Sequence, residues 1–215
     1  MSDWATISSL ATAGGTLVLA IATFSSVRSA NRSARMAELS LLAGLRPLLV
    51  PSKEEDPPKH VRFGDDVWLT VPGHGAAANV KEDRIYLALG LRNGGSGLAV
   101  IHGWHVEILD HESGPLPEQL QPELDQFRRQ MRDLYIPAGD TGFWQGALRD
   151  ASDPDHGRVR EAVRSGSRVL VDLLYGDHEG GQREIARFSI APDPGQEGER
   201  AEVVRYWPID RAAPR

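Results

Sequence analysis

The chain of 215 residues contains no cysteine. That removes disulfide staples, thiolate nucleophiles and thiolate metal sites together, and it fits a reducing compartment. Lysine is almost missing: Lys53, Lys59 and Lys81 are the only three among 24 basic residues, the rest being arginine. This bias, with abundant alanine and glycine, is what a GC-rich coding sequence gives, and it carries no functional information. No Gly-x-Ser-x-Gly elbow occurs, so serine chemistry lacks its usual strand-to-helix turn. Charge is absent from one long stretch, Trp4 to Val27 (WATISSLATAGGTLVLAIATFSSV).

A helix crosses a bilayer with about 20 predominantly apolar residues, so this stretch is long enough. Ile7, Leu10, Leu17, Val18, Leu19, Ile21, Phe24 and Val27 favour insertion by roughly −2 to −5 kcal/mol in total, before serine, threonine and glycine are set against them. Only Asp3 is charged ahead of the stretch, whereas Arg28, Arg32 and Arg35 follow it. The positive-inside rule then places the C-terminal side in the cytoplasm and the N-terminus outside, with Trp4 in the outer interfacial belt. A secretory signal peptide would carry its positive charge before the apolar run. The competing reading is an amphipathic core helix of a soluble protein. Ser8, Ala11, Thr12, Gly15, Thr16 and Ala20 make one small, weakly polar helix face of the kind that lets helices approach closely in lipid. A low-complexity span without a partner explains the same residues equally well. Beyond the membrane, Arg28, Arg32 and Arg35 share one helix face and Met36, Leu39 and Leu42 another, until Gly44 and Pro47 end the helix. Residues 1–46 thus read as a transmembrane and juxtamembrane helix.

The net charge of −6 divides unevenly: residues 1–46 sum to +2 and the remainder to −8. An acidic domain is repelled by phosphate backbones, which argues against nucleic acid. Residues 47–60 read as a linker with a first strand, and 61–215 as one β-rich domain. Ile85, Leu87, Leu89 and Leu91 alternate with Tyr86, Ala88 and Gly90, a strand with one buried face. Trp104, Val106 and Ile108 repeat that pattern, as do Val169, Val171, Leu173 and Tyr175, and then Ala186, Phe188 and Ile190 after the GDHEGG loop. Val203 to Trp207 is a last strand. Weaker candidates are Leu48 to Val50, Val67 to Val71, Tyr135 to Pro137 and Gly142 to Gln145. The expected fold is mainly β: a transmembrane helix followed by an immunoglobulin-like antiparallel β-sandwich with two short helical insertions, or else a small open barrel. The insertions are Leu120 to Leu134, whose apolar residues recur every three or four positions, and a helix after Asp153-Pro154 ending at Gly166.

The order TFSSVRSANRSARMAE, LRPLLVPS, IYLALGLRNGGSGLAVIHGW, FRRQMRDLYIPAGDTGFWQGALRD, VDLLYGDHEGGQREIARF and VVRYWPID resembles a group of uncharacterised actinobacterial single-pass membrane-anchored proteins with a cytoplasmic β-sandwich. It is also similar to other anchored bacterial sandwiches with an Asn-Gly-Gly or similar turn after a strand. The likeness runs over nearly the whole chain and implies the anchor and the fold, not an activity.

Motifs for chemistry are weak. Gly73-His74-Gly75-Ala76-Ala77-Ala78 imitates a dinucleotide fingerprint, but Asn79 to Arg84 is too short and charged for the helix that must follow. Gly94-Gly95-Ser96-Gly97 could cradle an anion with its amides, and glycine supplying positive φ at a tight turn explains it as well. His102 and His105 point to opposite faces of a strand and cannot share a metal. Asp177, His178 and Glu179 share a hairpin loop and could meet a cation, although exposed turns are usually acidic. Asp172, in mid-strand, calls for a pairing with Arg187 or Arg149, because a buried lone carboxylate is costly. In Asp140 to Asp150 the adjacent Phe143 and Trp144 stand beside Arg149. Exposed aromatics with arginine mark protein interfaces, while two buried rings would be structural.

The reading that follows is a membrane-anchored, non-enzymatic interaction or scaffold protein, without a cofactor or metal. Its expected interaction surface is Asp140, Phe143, Trp144, Arg149, Asp177 and Glu179, and its partners are lipid and another protein or a second copy. A cytoplasmic small-ligand or metal sensor is the first alternative. A hydrolase using Asp140, Asp150 and Asp172 is the second.

Overall fold

A computed structural model describes residues 3–108, 120–195 and 198–210, without the side chains of 3–7, 11 and 43. The chain divides into two units, Met1–Gly44 and Leu45–Arg215.

The first unit is one helix, α1, Asp3–Gly44. Its 42 residues span about 63 Å at 1.5 Å per residue, twice what a bilayer core requires. It is long and apolar enough to cross a membrane, and Leu10, Leu17, Leu19, Ile21 and Phe24 are all exposed along it. Its small-residue face is polar only in name. Thr12 donates its hydroxyl to the Ser8 carbonyl at 2.8 Å, and Thr16 to that of Thr12 at 2.8 Å. Such back-bonds satisfy the hydroxyls within the helix. A Cβ on Gly15 would meet nothing within 4 Å. The side chains of Trp4 and Ala11 lie outside the described residues. Arg28, Arg32 and Arg35 are exposed on the part of α1 beyond Val27.

The second unit is mainly β and antiparallel. Its strands are β1 (Leu49–Pro51), β2 (Lys59–Arg62), β3 (Trp68–Val71), β4 (Gly75–Lys81), β5 (Arg84–Asn93), β6 (Ala99–Ile108), β7 (Arg128–Ile136), β8 (Thr141–Leu148), β9 (Val169–Gly176), β10 (Glu184–Pro192) and β11 (Glu199–Pro208). A helix, α2 (His156–Ser165), joins β8 to β9. Nine strands form one sheet in the order β1-β5-β4-β11-β10-β9-β6-β7, with β8 also on β5; β2 and β3 form a separate hairpin. β8 follows β5 along its whole length, so β4 and β1 share the opposite edge of β5. The sheet curls until β8 and β7 face one another. Gln130 of β7 bridges them, donating Nε2 to the Gln145 carbonyl at 3.2 Å and accepting the Trp144 indole N–H at 3.2 Å. The curl encloses the main core within one continuous antiparallel sheet, which is compatible with the expected sandwich.

Period-two alternation fills the interior. Ile85, Leu87, Leu89 and Leu91 meet Val169, Val171, Leu173 and Tyr175, with Trp104, Trp144 and Phe188 among them. The other face of β5 is covered as well: Tyr86 and Ala88 pack with Val61, Phe63, Leu69 and Val71 from the β2–β3 hairpin. Both faces of β5 are therefore buried, where the alternation by itself implied one.

α2 is amphipathic, buries Val159 and Ala162, and ends where Gly166 takes a left-handed φ of 68°. Gly166 donates its N–H to the Val163 carbonyl, a glycine C-terminal stop as expected from the sequence. The other expected helical insertion is reduced to one turn. Over 120–134 there is only a single 3₁₀ turn, Leu124–Gln126, before β7. The spacing of Leu120, Leu124, Phe127, Met131 and Leu134 misleads because these residues share no buried face: Leu120, Leu124 and Met131 are exposed, and Leu134 alone packs on the main core. The segment is recruited as an edge strand of β6 instead. Gly75 to Lys81 likewise forms β4, so the glycine-alanine motif enters a strand with no following helix.

Candidate binding cleft between two open strand edges

Between β7 and β8 lies a cleft of about 720 Å³. Arg128, Arg129, Met131 and Arg132 line it from β7, Gln145 to Ala147 from β8, and Asp65, Arg84 and Arg149 from its flanks. The local fold explains its shape. The β6–β7 ladder passes from Ile101–Leu134 directly to Gly103–Arg129, so Gln130 to Asp133 bulge opposite His102 alone. Bulges re-aim side chains at sheet edges. Here one leaves Met131 94 % exposed and turns Arg132 outward. On the far wall Gly146 has no side chain, and a Cβ there would sit 2.5 Å from the Trp144 ring. Trp144 and Trp104, edge to face at 5.5 Å, back the cleft.

Charge in the cleft is unbalanced. Arg84 and Arg149 both reach Asp65, at 3.4 and 3.1 Å, and Tyr86 donates its hydroxyl to the same carboxylate at 2.6 Å. The hydrogen bond from Arg149 chiefly, with that from Tyr86, holds the Asp65 carboxyl well below the ordinary carboxylate range despite its burial. Arg128 is fixed by Asp153 and Asp155, both at 2.7 Å, and lies over the Trp104 ring at 5.1 Å. Burial opposes its charge, but the two aspartates outweigh that and raise its pKa. Among the described residues, Arg129 and Arg132 make no ion pair.

The residues singled out in the sequence are separated. Trp144 is fully buried, whereas Phe143, on the opposite face of the strand, is half-buried against the smaller core. Asp140 precedes β8 and caps it by accepting the Thr141 N–H at 2.8 Å. Arg149 follows β8, so a strand of eight residues, about 27 Å long, lies between them. Only Arg149 reaches the cleft. Asp177 is buried in the β9–β10 loop and accepts the N–H groups of Glu179 (3.1 Å) and Gly181 (2.9 Å), which shapes the turn. Glu179 is exposed. Among the described residues no group of His, Asp and Glu is placed to hold a metal ion.

Asp172 pairs with Arg187, not Arg149. Arg187 donates Nε and Nη2 to its two oxygens at 2.6 and 2.8 Å, and His105 lies 3.0 Å away on the next strand. Glu107 and the Trp207 ring complete the surround of Arg187. All three polar side chains are set in one cross-strand row by the register of β6, β9 and β10. Asp172 and Arg187 are 0 % and 1 % exposed. Asp140 and Asp150 are exposed at the two ends of β8, so the three carboxylates do not converge.

The glycine loop after β5 serves neither as an anion cradle nor as a positive-φ turn. None of Gly94, Gly95 and Gly97 has a left-handed φ. Instead the loop clasps the chain at 45–48. A Cβ on Gly97 would collide with the Leu45 carbonyl, and one on Gly95 with that of Arg46. Ser96 and Gly97 donate their N–H groups to the Arg46 carbonyl, and Asn93 Oδ1 accepts the Leu48 N–H at 3.1 Å. Arg46 is then tied to buried Glu184 at 2.6 Å, which also accepts the Tyr175 hydroxyl at 3.0 Å. Burial, with Glu184 close by, pushes the Tyr175 phenol well above its ordinary value.

No protein-family profile matches the chain, no curated protein is significantly similar to it, and no solved structure matches its fold.

Proposed function

We propose that this protein is a membrane-anchored, non-enzymatic interaction module: α1 spans the membrane once with its N-terminus outside, and the β domain recruits a protein partner in the cytoplasm. The carrying observation is the cleft. Elsewhere in the domain charged side chains are engaged in ion pairs that hold the fold, such as Asp172–Arg187 and Arg183–Asp210. At the cleft, however, arginines stand in excess of carboxylates beside strand edges that have no further partner among the described residues. Such a surface binds. The arginines on α1 after the apolar run support the orientation. The resemblance to anchored actinobacterial sandwiches points the same way.

Crosslinking in native membranes tests the reading. The expected result is a reproducible adduct with one protein neighbour or with a second copy. Monomer alone, with no neighbour above background, contradicts it. Stabilisation by a nucleotide, metabolite or divalent ion in a thermal-shift screen would favour a sensor in its place.

A further inference from the structure

We propose that the cleft between β7 and β8 takes up an extended acidic segment of a partner protein, added as a strand to the open edge of β8. This rests on the interaction reading above and specifies the partner's chemistry.

The edge comes first. β8 pairs with β5 on one side only. The Gln145 carbonyl faces the open side, because it accepts Gln130 Nε2 there. In an antiparallel strand the peptide groups face alternate sides, so Phe143 and Ala147 present theirs on the same edge as Gln145. The Gln130 amide occupies the place that an N–H of an added strand would take. A backbone donor can replace Nε2 at Gln145 while Gln130 Oε1 keeps the Trp144 indole N–H, so the edge is capped but not closed. An extended segment added to an exposed edge gains affinity from main-chain bonds and specificity from alternate side chains.

The charge then selects the segment. Five arginines line the cleft; Asp65 holds Arg84 and Arg149, Asp153 and Asp155 hold Arg128, and Arg129 and Arg132 supply the excess, in a domain whose sequence is otherwise acidic. Arg129 and Arg132 are exposed on β7, and Arg149 lies beyond the end of β8. Alternate side chains of a strand recur about 7 Å apart on one face, a spacing that brings successive carboxylates past these guanidinium groups. Met131, 94 % exposed beside them, offers an adaptable apolar contact for the aliphatic stems of those acidic side chains. A long polyanion meets the same arginines but also runs over a domain of net negative charge, which repels it. A short acidic strand ends within the cleft.

The test uses the full chain in nanodiscs of zwitterionic lipid and a fluorescent peptide alternating glutamate and valine. Saturable binding is expected, weakened at least about tenfold when glutamine replaces glutamate and again when the peptide backbone is N-methylated. The double variant R129E/R132E is expected to lose binding about tenfold or more with an unchanged melting temperature, since both side chains are exposed. The proposal is overturned by an absence of saturable binding, by an N-methylated peptide that binds as well as the parent, or by R129E/R132E binding undiminished. It is equally overturned if oligothymidine or an inositol polyphosphate binds more tightly than the peptide. The two readings fail separately. A crosslinked neighbour retained by R129E/R132E sinks the cleft assignment and leaves the interaction module standing, whereas no neighbour at all in native membranes sinks the module.

Discussion

Replacing Asn93 by alanine should loosen the junction where the chain enters the β domain. Asn93 is fully buried, and its amide makes four bonds. Oδ1 accepts the N–H groups of Leu48 (3.1 Å) and Gly95 (2.9 Å), while Nδ2 donates to the carbonyls of Gly97 (2.7 Å) and Ile136 (2.9 Å). Alanine strands up to four backbone groups. Each stranded buried group costs about 1–3 kcal/mol. Leu48 and Gly95 are only partly buried and can be rehydrated, which brings the expected loss to about 3–5 kcal/mol, roughly a fifth or more of the stability of an ordinary domain. For a domain of this size each kcal/mol moves Tm by roughly 2–4 °C, so a fall of roughly 6–20 °C is expected. Thermal melts followed by tryptophan fluorescence in detergent report it, because Trp104 and Trp144 lie in the domain core. Helical circular dichroism from α1 should persist through that transition. A shift below about 3 °C would refute the clasp.

Three further outcomes follow from the same contacts. Asp172→Leu or Arg187→Met alone should cost about 3–5 kcal/mol in denaturant melts, because either breaks a buried ion pair by removing one member. The pair Asp172→Leu with Arg187→Met should recover much of that loss, and a double variant as unstable as the sum of the singles would contradict it. Asp65, whose carboxyl is held low by Arg149 and Tyr86, stabilises the fold above the unfolded carboxylate value of about 3.9. That contribution should fade as the pH falls below about 4, so Asp65→Asn should be less stable than the parent at pH 7 and converge with it in strong acid. Parallel curves across that range would exclude the ion pair as the cause. Gly97→Ala should destabilise at least as much as Asn93→Ala, since its Cβ collides with the Leu45 backbone; a neutral effect in melts would be inconsistent with the close approach.

How far the sequence reveals this structure depends on the range of each contact. Ile85 to Arg92, Arg168 to Tyr175 and Arg183 to Ala191 are legible because branched apolar residues alternate on one face. β4 is not, because Gly75, Ala76, Ala77 and Ala78 have little strand preference of their own; small residues suit a strand flanked by β5 and β11. β2 is hidden by its polar residues, Lys59, His60 and Arg62, of which only Val61 is buried. The helical spacing from Leu120 to Leu134 is a coincidence that pairing with β6 overrides. Asp172 announces a partner, and the β9–β10 hairpin register puts Arg187 directly opposite. Arg149 finds Asp65 from 84 positions away, and no local pattern carries that. The cleft is illegible for the same reason: β7 and β8 are recognisable as edges only once the whole strand order is known.

The most direct measurement is a membrane fractionation of cells expressing the full chain, followed by an alkaline carbonate wash and then detergent. The account expects the protein in the membrane pellet, resistant to carbonate and released by detergent. A folded, monodisperse protein in the high-speed supernatant without detergent would contradict it, because the exposed apolar side chains of α1 would then have found a shelter other than lipid.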